Sequence, residues 1–200
     1  MSRPGYQNKR VASHPLSRRT VLKSLLGVGL GLRFAGAAAG AAEEAKRARP
    51  QVGDLLVFSR GERQGQPVAP QDLPLAGPPV IAYPLDPGTQ TVRDGSRLNA
   101  VLLVRFALEE LSEPTRAVAA EGIVCYSAVC THTGCEVSGW KDDSKCLVCP
   151  CHLSTFDPKD RARIVSGPAP RPLAALPLQL VNGKVTVAGS FSGRVGAVQQ

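Results

Sequence analysis

Beyond residue 50 the chain breaks into short apolar or alternating runs punctuated by Gly, Pro and Asn. Asp54–Ser59 (Asp-Leu-Leu-Val-Phe-Ser) predicts a first strand, and Arg60–Pro79, filled with Gly, Gln and Pro, predicts a loop. Val80–Tyr83 predicts a short strand ended by Pro84. Asn99–Phe106 is almost continuously apolar and predicts a buried strand. Leu108–Ser112 predicts a single helical turn stopped before Pro114, because the residue ahead of a proline is pushed out of helical backbone. Ile123–Val129 and Cys146–Cys149 predict two further strands. Between them Lys141–Ser144 predicts a turn at a sheet edge, with Trp140, the single Trp, as a packing residue. Gly167–Pro172 (Gly-Pro-Ala-Pro-Arg-Pro) predicts a rigid loop. Leu176–Val181 and Lys184–Val187 flank Asn182-Gly183, a pair suited to a type I′ turn, and predict a hairpin. Ser190–Gln200 carries no strong pattern. Many short strands joined by Gly/Pro turns predict an all-β domain.

The first 50 residues are patterned differently. They hold ten of the 24 Lys and Arg against two acids, which leaves fourteen of each sign in residues 51–200. The net charge of +8 therefore belongs to the N-terminus, and the body is neutral. That argues against nucleic acid, which needs a basic footprint on the folded domain. Ser17-Arg18-Arg19-Thr20-Val21-Leu22-Lys23 resembles a twin-arginine export signal. The apolar run Ser24–Leu32 and the Ala/Gly tract Ala35–Ala42 complete the layout of basic start, apolar middle and small-residue end. Ser24–Ala42 is 19 residues, about one membrane span. Arg33 in its middle costs roughly 2.5–3.5 kcal/mol on insertion scales, and Ala37-Ala38-Ala39 and Ala39-Gly40-Ala41 offer cleavage patterns. Both features favour cleavage; retention as an anchor is the alternative. The chain thus divides into a twin-arginine signal or N-terminal anchor at 1–42, a charged linker at 43–51 and a folded domain at 52–200.

The candidate chemistry is concentrated between residues 130 and 152. Cys130-Thr131-His132-Thr133-Gly134-Cys135 and Cys149-Pro150-Cys151-His152-Leu153-Ser154 contain four of the six cysteines and two of the three histidines. Cys130 and His132 are two apart, Cys149 and His152 three apart, so on tight loops each pair can turn toward one point. Each box then offers one thiolate and one imidazole. Thiolates suit iron–sulfur clusters and zinc; imidazole suits iron, zinc and copper. A structural zinc site uses the same residue types, but C-T-H-x-G-C followed by C-P-C-H-x-S specifies far more than a generic Cys pair. The two boxes closely resemble those of the Rieske iron–sulfur protein family, whose cluster is held by two Cys on one iron and two His on the other.

That resemblance implies a 2Fe-2S cluster with Cys130 and Cys149 on one iron and His132 and His152 on the other. It implies a disulfide between Cys135 and Cys151 tying the two loops, which an oxidising compartment such as the periplasm would preserve. It implies stacked antiparallel sheets with a small cluster-binding subdomain at about 129–172, and a Pro-rich loop that includes Pro168 covering the cluster. Ser154 matches the family Ser that donates a hydrogen bond to a cluster sulfur. Phe156 stands where quinol-oxidising members usually place a Tyr, which predicts a lower potential, and Thr133 replaces the Leu common at their docking tip. Cys125 and Cys146 lie on the strands leading into the boxes; they are expected as buried free thiols, with a second disulfide as the alternative.

No catalytic residue is assigned, because the sequence offers no substrate-activating acid, base or nucleophile set. The expected role is an exported carrier that relays single electrons between an oxidoreductase catalytic subunit and a periplasmic acceptor such as cytochrome c. The twin-arginine signal, Phe156 and the compact length resemble the small Rieske subunit of arsenite-oxidase-type molybdenum enzymes. The alternative is the Rieske subunit of a cytochrome bc-type quinol–cytochrome c reductase, with cytochrome b as partner; Phe156, Thr133 and Arg33 weigh against it. A catalytic chain of an aromatic-ring oxygenase does not fit, since about 150 residues leave little room for a second domain and the domain holds no further His for a mononuclear iron.

Overall fold

The computed structural model describes residues 40–197. The twin-arginine stretch, the apolar run and most of the Ala/Gly tract lie outside the described residues. Residues 40–47 are helical. Eleven strands follow: β1 Leu55–Phe58, β2 Val80–Asp86, β3 Thr91–Val92, β4 Val101–Arg105, β5 Ile123–Ser127, β6 Gly139–Lys141, β7 Cys146–Val148, β8 Thr155–Asp157, β9 Arg163–Ser166, β10 Leu178–Val181 and β11 Lys184–Val187. Every pairing between them is antiparallel. One sheet has the order β10-β11-β1-β2-β4-β5, with β3 beside β2; the second, β6-β7-β8-β9, is formed by the chain between β5 and β10. Among the described residues no helix is long and apolar enough to cross a membrane.

The unbroken apolar run of β4 has a physical reason. Val101 and Leu103 face one core with Leu56, Ile123, Cys125, Leu176 and Val187. Leu102 and Val104 face another with Val124, Tyr126, Val137, Leu147 and Phe156. A strand covered on both faces gains from an apolar side chain at every position, each full burial of a Leu or Val being worth about 1.5–3 kcal/mol. Cys130 and Cys149 belong to the second core, so the layer between the sheets is also the floor of the two boxes. Trp140 packs against that core. Tyr126 crosses it, and its hydroxyl donates to the Pro158 carbonyl at 2.8 Å between β8 and β9. Burial pushes the phenol well above its ordinary range, which keeps it a donor.

Two of the expected element ends differ in the structure. Strand β2 continues through Pro84 to Asp86. Pro84 faces Leu56 of β1 and its carbonyl accepts from the Arg93 N–H at 2.8 Å, on the β3 side. A residue's N–H and C=O point to the same side of a strand, so the missing N–H faces the Arg93 carbonyl, which accepts from Asn99 Nδ2 at 3.0 Å instead. Pro114 does not stop a helical turn: Leu108–Glu110 is a short 3₁₀ turn, and Pro114 sits at the start of a separate turn, Glu113–Arg116, where its lack of an N–H is harmless. Strands β8 and β9 have no counterpart in the sequence reading, because Thr-Phe-Asp and Arg-Ile-Val-Ser are too short to show a period. The hairpin forms as expected, with Asn182 and Gly183 both at positive φ (50° and 71°), as a type I′ turn requires.

The chain enters β1 through a buried ion pair. Arg93 Nε donates to Asp54 Oδ2 at 2.7 Å and Nη2 to Oδ1 at 3.0 Å, while Nη1 reaches the Ala45 carbonyl at 3.3 Å. Asn99 Nδ2 donates to the carbonyls of Ala48 and Arg93, at 2.8 and 3.0 Å. Residues 45–54 are thereby fixed against the segment between β3 and β4. The Arg93 and Asp54 side chains are only 8% and 3% exposed, and removing one member of such a pair strands the other charge away from water. Arg93→Met is expected to lower the unfolding free energy by about 3–5 kcal/mol, seen as a lower guanidinium midpoint at unchanged slope; an unmoved midpoint would show that the pair adds no net stability.

Candidate metal centre

The two boxes are the same backbone device built from different letters. In the first, the Cys130 N–H donates to the Cys135 carbonyl at 2.8 Å and the Gly134 N–H to the Cys130 carbonyl at 3.0 Å. In the second, the Cys149 N–H donates to the Ser154 carbonyl at 2.8 Å and the Leu153 N–H to the Cys149 carbonyl at 2.9 Å. Each loop is closed by the same pair of bonds, from residue i to i+5 and from i+4 back to i. Each also has a left-handed residue at the fourth position after its first Cys, Gly134 at φ 82° and Leu153 at φ 58°. Glycine adopts that conformation freely; for leucine it costs about 1–2 kcal/mol. Strand β7 delivers the chain directly into the second loop, and the first loop begins at Cys130, three residues after β5 ends at Ser127.

The loops aim their donors at one another. Cys130 and Cys149 are free thiols, 0% and 1% exposed. Burial pushes the Cys130 thiol above its ordinary range; the backbone N–H of His132 and the Ser154 hydroxyl act against that shift, and the adjacent Cys149 sulfur acts with it. The rings of His132 and His152 meet edge to face, with centroids 4.6 Å apart and planes at 87°. His132 is half-buried and His152 exposed. Nδ1 of His132 is buried and has no hydrogen-bond partner, a state that costs roughly 1–3 kcal/mol unless something ligates it.

Cys135 and Cys151 form a disulfide across the two loops, with Cα atoms 6.6 Å apart. Their sulfurs and Cys149 Sγ lie within 4.8 Å of one another. A disulfide sulfur is no thiolate, so these two cysteines act as a strut beside Cys149 and the thiol donors are Cys130 and Cys149. Cys125 and Cys146 remain free and buried, so the alternative of a second bridge is not realised. Burial alone raises the Cys125 thiol.

The loop 167–172 closes a third side. Thr131 Oγ1 donates to the Arg171 carbonyl at 2.6 Å, and the Ala169 N–H donates to Ser154 Oγ at 3.1 Å, so each box has one bond to this loop. Gly167 stands at φ 90°, and a Cβ there would lie 2.5 Å from Ser154 Cα; only glycine permits that approach. Pro168 is exposed on the outer side. Phe156 is fully buried on β8 opposite Leu147, and Thr133 is exposed. The sequence reading missed two supports. Thr131 was visible inside its box, though its partner is 40 residues away. Arg97, whose Nη1 donates to the Gly134 carbonyl at 2.6 Å, had no sequence signal at all.

Two buried thiols, one buried and unpartnered imidazole nitrogen and a second imidazole in edge contact with the first make a donor set that fits an iron–sulfur cluster of mixed ligation. The model of the Rieske 2Fe-2S domain matches residues 100–177. A putative respiratory nitrate reductase Rieske subunit of Haloferax mediterranei is 42% identical over 106 residues, covering 52% of this chain and 47% of that protein. The chain thus spans about half the length of that relative. The cytochrome bc1 complex Rieske iron–sulfur subunit of Streptomyces lividans is 31% identical over 148 residues, covering 72% of this chain and 85% of its own. Among solved structures, the soluble domain of Rieske protein II from Sulfolobus acidocaldarius aligns at 26% identity and a TM-score of 0.38, over 48% of this chain and 66% of that one. Sequence kinship of this extent, on a mostly-β fold that gathers these donors, places the chain in the Rieske family of iron–sulfur electron-transfer proteins, which carry a 2Fe-2S cluster.

Proposed function

We propose that Cys130 and Cys149 hold one iron and His132 and His152 the other, and that the protein is an exported relay. It would pass single electrons from an oxidoreductase catalytic subunit to a periplasmic acceptor such as a c-type cytochrome. One observation carries the reading: the unpartnered Nδ1 of His132 is buried between loops that also bury two free thiols, while the neighbouring His152 is exposed. Donors face inward and an imidazole faces a partner. When bound there, the cluster accepts and gives up one electron at a time.

The surrounding residues set the ease of that exchange. Neutral imidazoles in place of thiolates reduce the negative charge around the irons. Ser154 Oγ accepts from the Ala169 N–H, which leaves its own proton to point at the Cys130 sulfur; a hydrogen bond to a ligand sulfur favours the reduced form. Phe156 brings no second donor. This is the reason to favour a catalytic-subunit partner over a quinol oxidase, together with exposed Thr133 at the tip and the Haloferax relative named as a nitrate reductase subunit. The second reading, a subunit of a quinol–cytochrome c reductase, draws on the Streptomyces relative named for the bc1 complex. In either case residues 1–42 would direct the chain by the twin-arginine route to the periplasmic side of a bacterial inner membrane, as a cleaved signal or an anchor, with 43–51 as linker to the domain at 52–200.

The relay reading is tested by purifying the exported protein. Coloured material that contains iron and sulfide and gives a low-temperature spin-resonance signal on reduction is expected; colourless, zinc-loaded protein would overturn it. Export is tested separately: replacing Arg18 and Arg19 together by Lys is expected to retain the protein in the cytoplasm, and unchanged periplasmic recovery would remove the twin-arginine assignment. A high-salt wash of membranes then distinguishes an anchored from a cleaved N-terminus. Phe156→Tyr places a hydroxyl in the buried layer beside the ligand cysteines. One added hydrogen bond of ~1 kcal/mol corresponds to roughly 40 mV for one electron, so voltammetry should show a rise of that size, and no rise would deny Phe156 its role in setting the potential.

A further inference from the structure

Beside His132 lies a cleft of about 920 Å³ whose walls carry Arg49, Arg97 and Arg194. A second cleft of about 640 Å³ shares Arg194 and adds Arg161, Arg163 and Arg171. Of these six arginines, only Arg163 meets carboxylates among the described residues, Asp160 at 2.9 Å and Asp157 at 3.3 Å. Arg49, Arg97 and Arg171 donate to carbonyls instead: Leu98 at 3.2 Å, Gly134 at 2.6 Å, and Arg194 and Gly196 at 3.1 and 2.7 Å. A carbonyl positions a guanidinium without cancelling its charge. Elsewhere on the domain Arg60, Arg63, Arg93 and Lys145 are each paired with a carboxylate, and Arg105 and Arg116, which donate to carbonyls, stand apart from these clefts. A body that is neutral in sum therefore concentrates uncompensated positive charge next to one of its two site histidines.

We propose that these two adjoining clefts receive an acidic protein surface, so that the redox partner approaching the His132 edge presents a carboxylate-rich rim. The proposal rests on the relay reading and specifies the partner's charge. Five guanidiniums without a carboxylate partner, spread over two clefts, outnumber what a small inorganic anion can cover. Arginine forks suit carboxylates in pairs. A lysine-rimmed partner would be repelled from the same face, and opposite charge steers encounter most strongly at low salt.

The test uses the full chain in its oxidised, cluster-loaded form and two versions of one oxidised c-type cytochrome: lysine-rich, and with its lysines succinylated to carboxylates. Binding is read by titration calorimetry, with no electron moving. The basic residues of 1–50 attract any acidic protein, so the deciding quantity is the change on mutation. Arg194→Glu is expected to weaken the succinylated form at least about fivefold near 10 mM salt, with the effect fading toward 1 M as the screening length falls from about 30 to 3 Å. Arg49→Gln should weaken it less. Lys184→Glu makes the same charge change outside both clefts and should do little; the spin-resonance spectrum shows that each variant keeps its cluster. Equal effects of Lys184→Glu and Arg194→Glu, tighter binding of the lysine-rich form, or no binding of either form would overturn the proposal. So would saturable binding of inorganic phosphate that Arg194→Glu abolishes while the two cytochromes bind alike, since that assigns the clefts to a small anion. If the succinylated form binds as expected but the reduced protein passes it no electron, the docking face stands and the relay reading fails.

Discussion

The Cys130 and Cys149 sulfurs are buried between the two loops, and the buried His132 Nδ1 atom has no hydrogen-bond partner. Burial disfavours the Cys130 thiolate, and an unpaired polar nitrogen loses its water, so these atoms are costly to hold in place. The second sheet is intelligible as the structure that holds these atoms in place despite that cost. It extends the layer of β4 and β5 with Leu147 and Phe156 under the boxes. It ends each box in the same two-bond ring, and the disulfide locks one ring to the other. The third loop is pinned to both rings by Thr131 and Ser154. Rigidity of this kind suits an electron carrier, since less of the surroundings must rearrange when the charge changes.

The shared ring also clarifies why the two boxes read differently. The backbone repeats, but the histidine is at the second position after the first Cys in one loop and at the third in the other, and the disulfide cysteine is at the fifth in one and the second in the other. Opposed loops with the same backbone and different letters can place two sulfurs on one side and two imidazoles on the other. Leu153 shows the cost of the second version. It holds a left-handed conformation that Gly134 adopts freely in the first loop, and its side chain is 66% exposed beside His152.

Much of this was legible in the chain because the strongest signals were local. The paired boxes, the Asn182-Gly183 turn and the apolar run of β4 each depend on neighbours in sequence, and each formed where expected. What the sequence did not disclose depends on distant partners. Pro84 can lie within β2 because the carbonyl opposite it, that of Arg93, is served by the Asn99 side chain. Pro114 begins a turn instead of ending one, because a proline is excluded from a helix interior but tolerated in its first turn. Strands β8 and β9 are defined by pairing with each other and with β7, not by a period of their own. Arg97 reaches the first box across 37 residues. Net charge was equally uninformative, since fourteen charges of each sign in residues 51–200 sum to zero while the arginines gather on one face.

The arginines of that face are also joined to the loops that hold the donors. Arg97 donates to the carbonyl of Gly134, the left-handed residue of the first ring, and the backbone of Arg171 accepts from Thr131, between Cys130 and His132. A partner of the proposed acidic kind would therefore take up side chains whose residues are directly bonded to the first loop. The direction of the effect follows from charge. Carboxylates brought close to the cluster disfavour the extra electron, while those same carboxylates draw the guanidiniums partly away from it. Both changes would make the electron easier to release once a partner of the proposed kind is in place, which is the bias the proposed relay requires at the moment of contact.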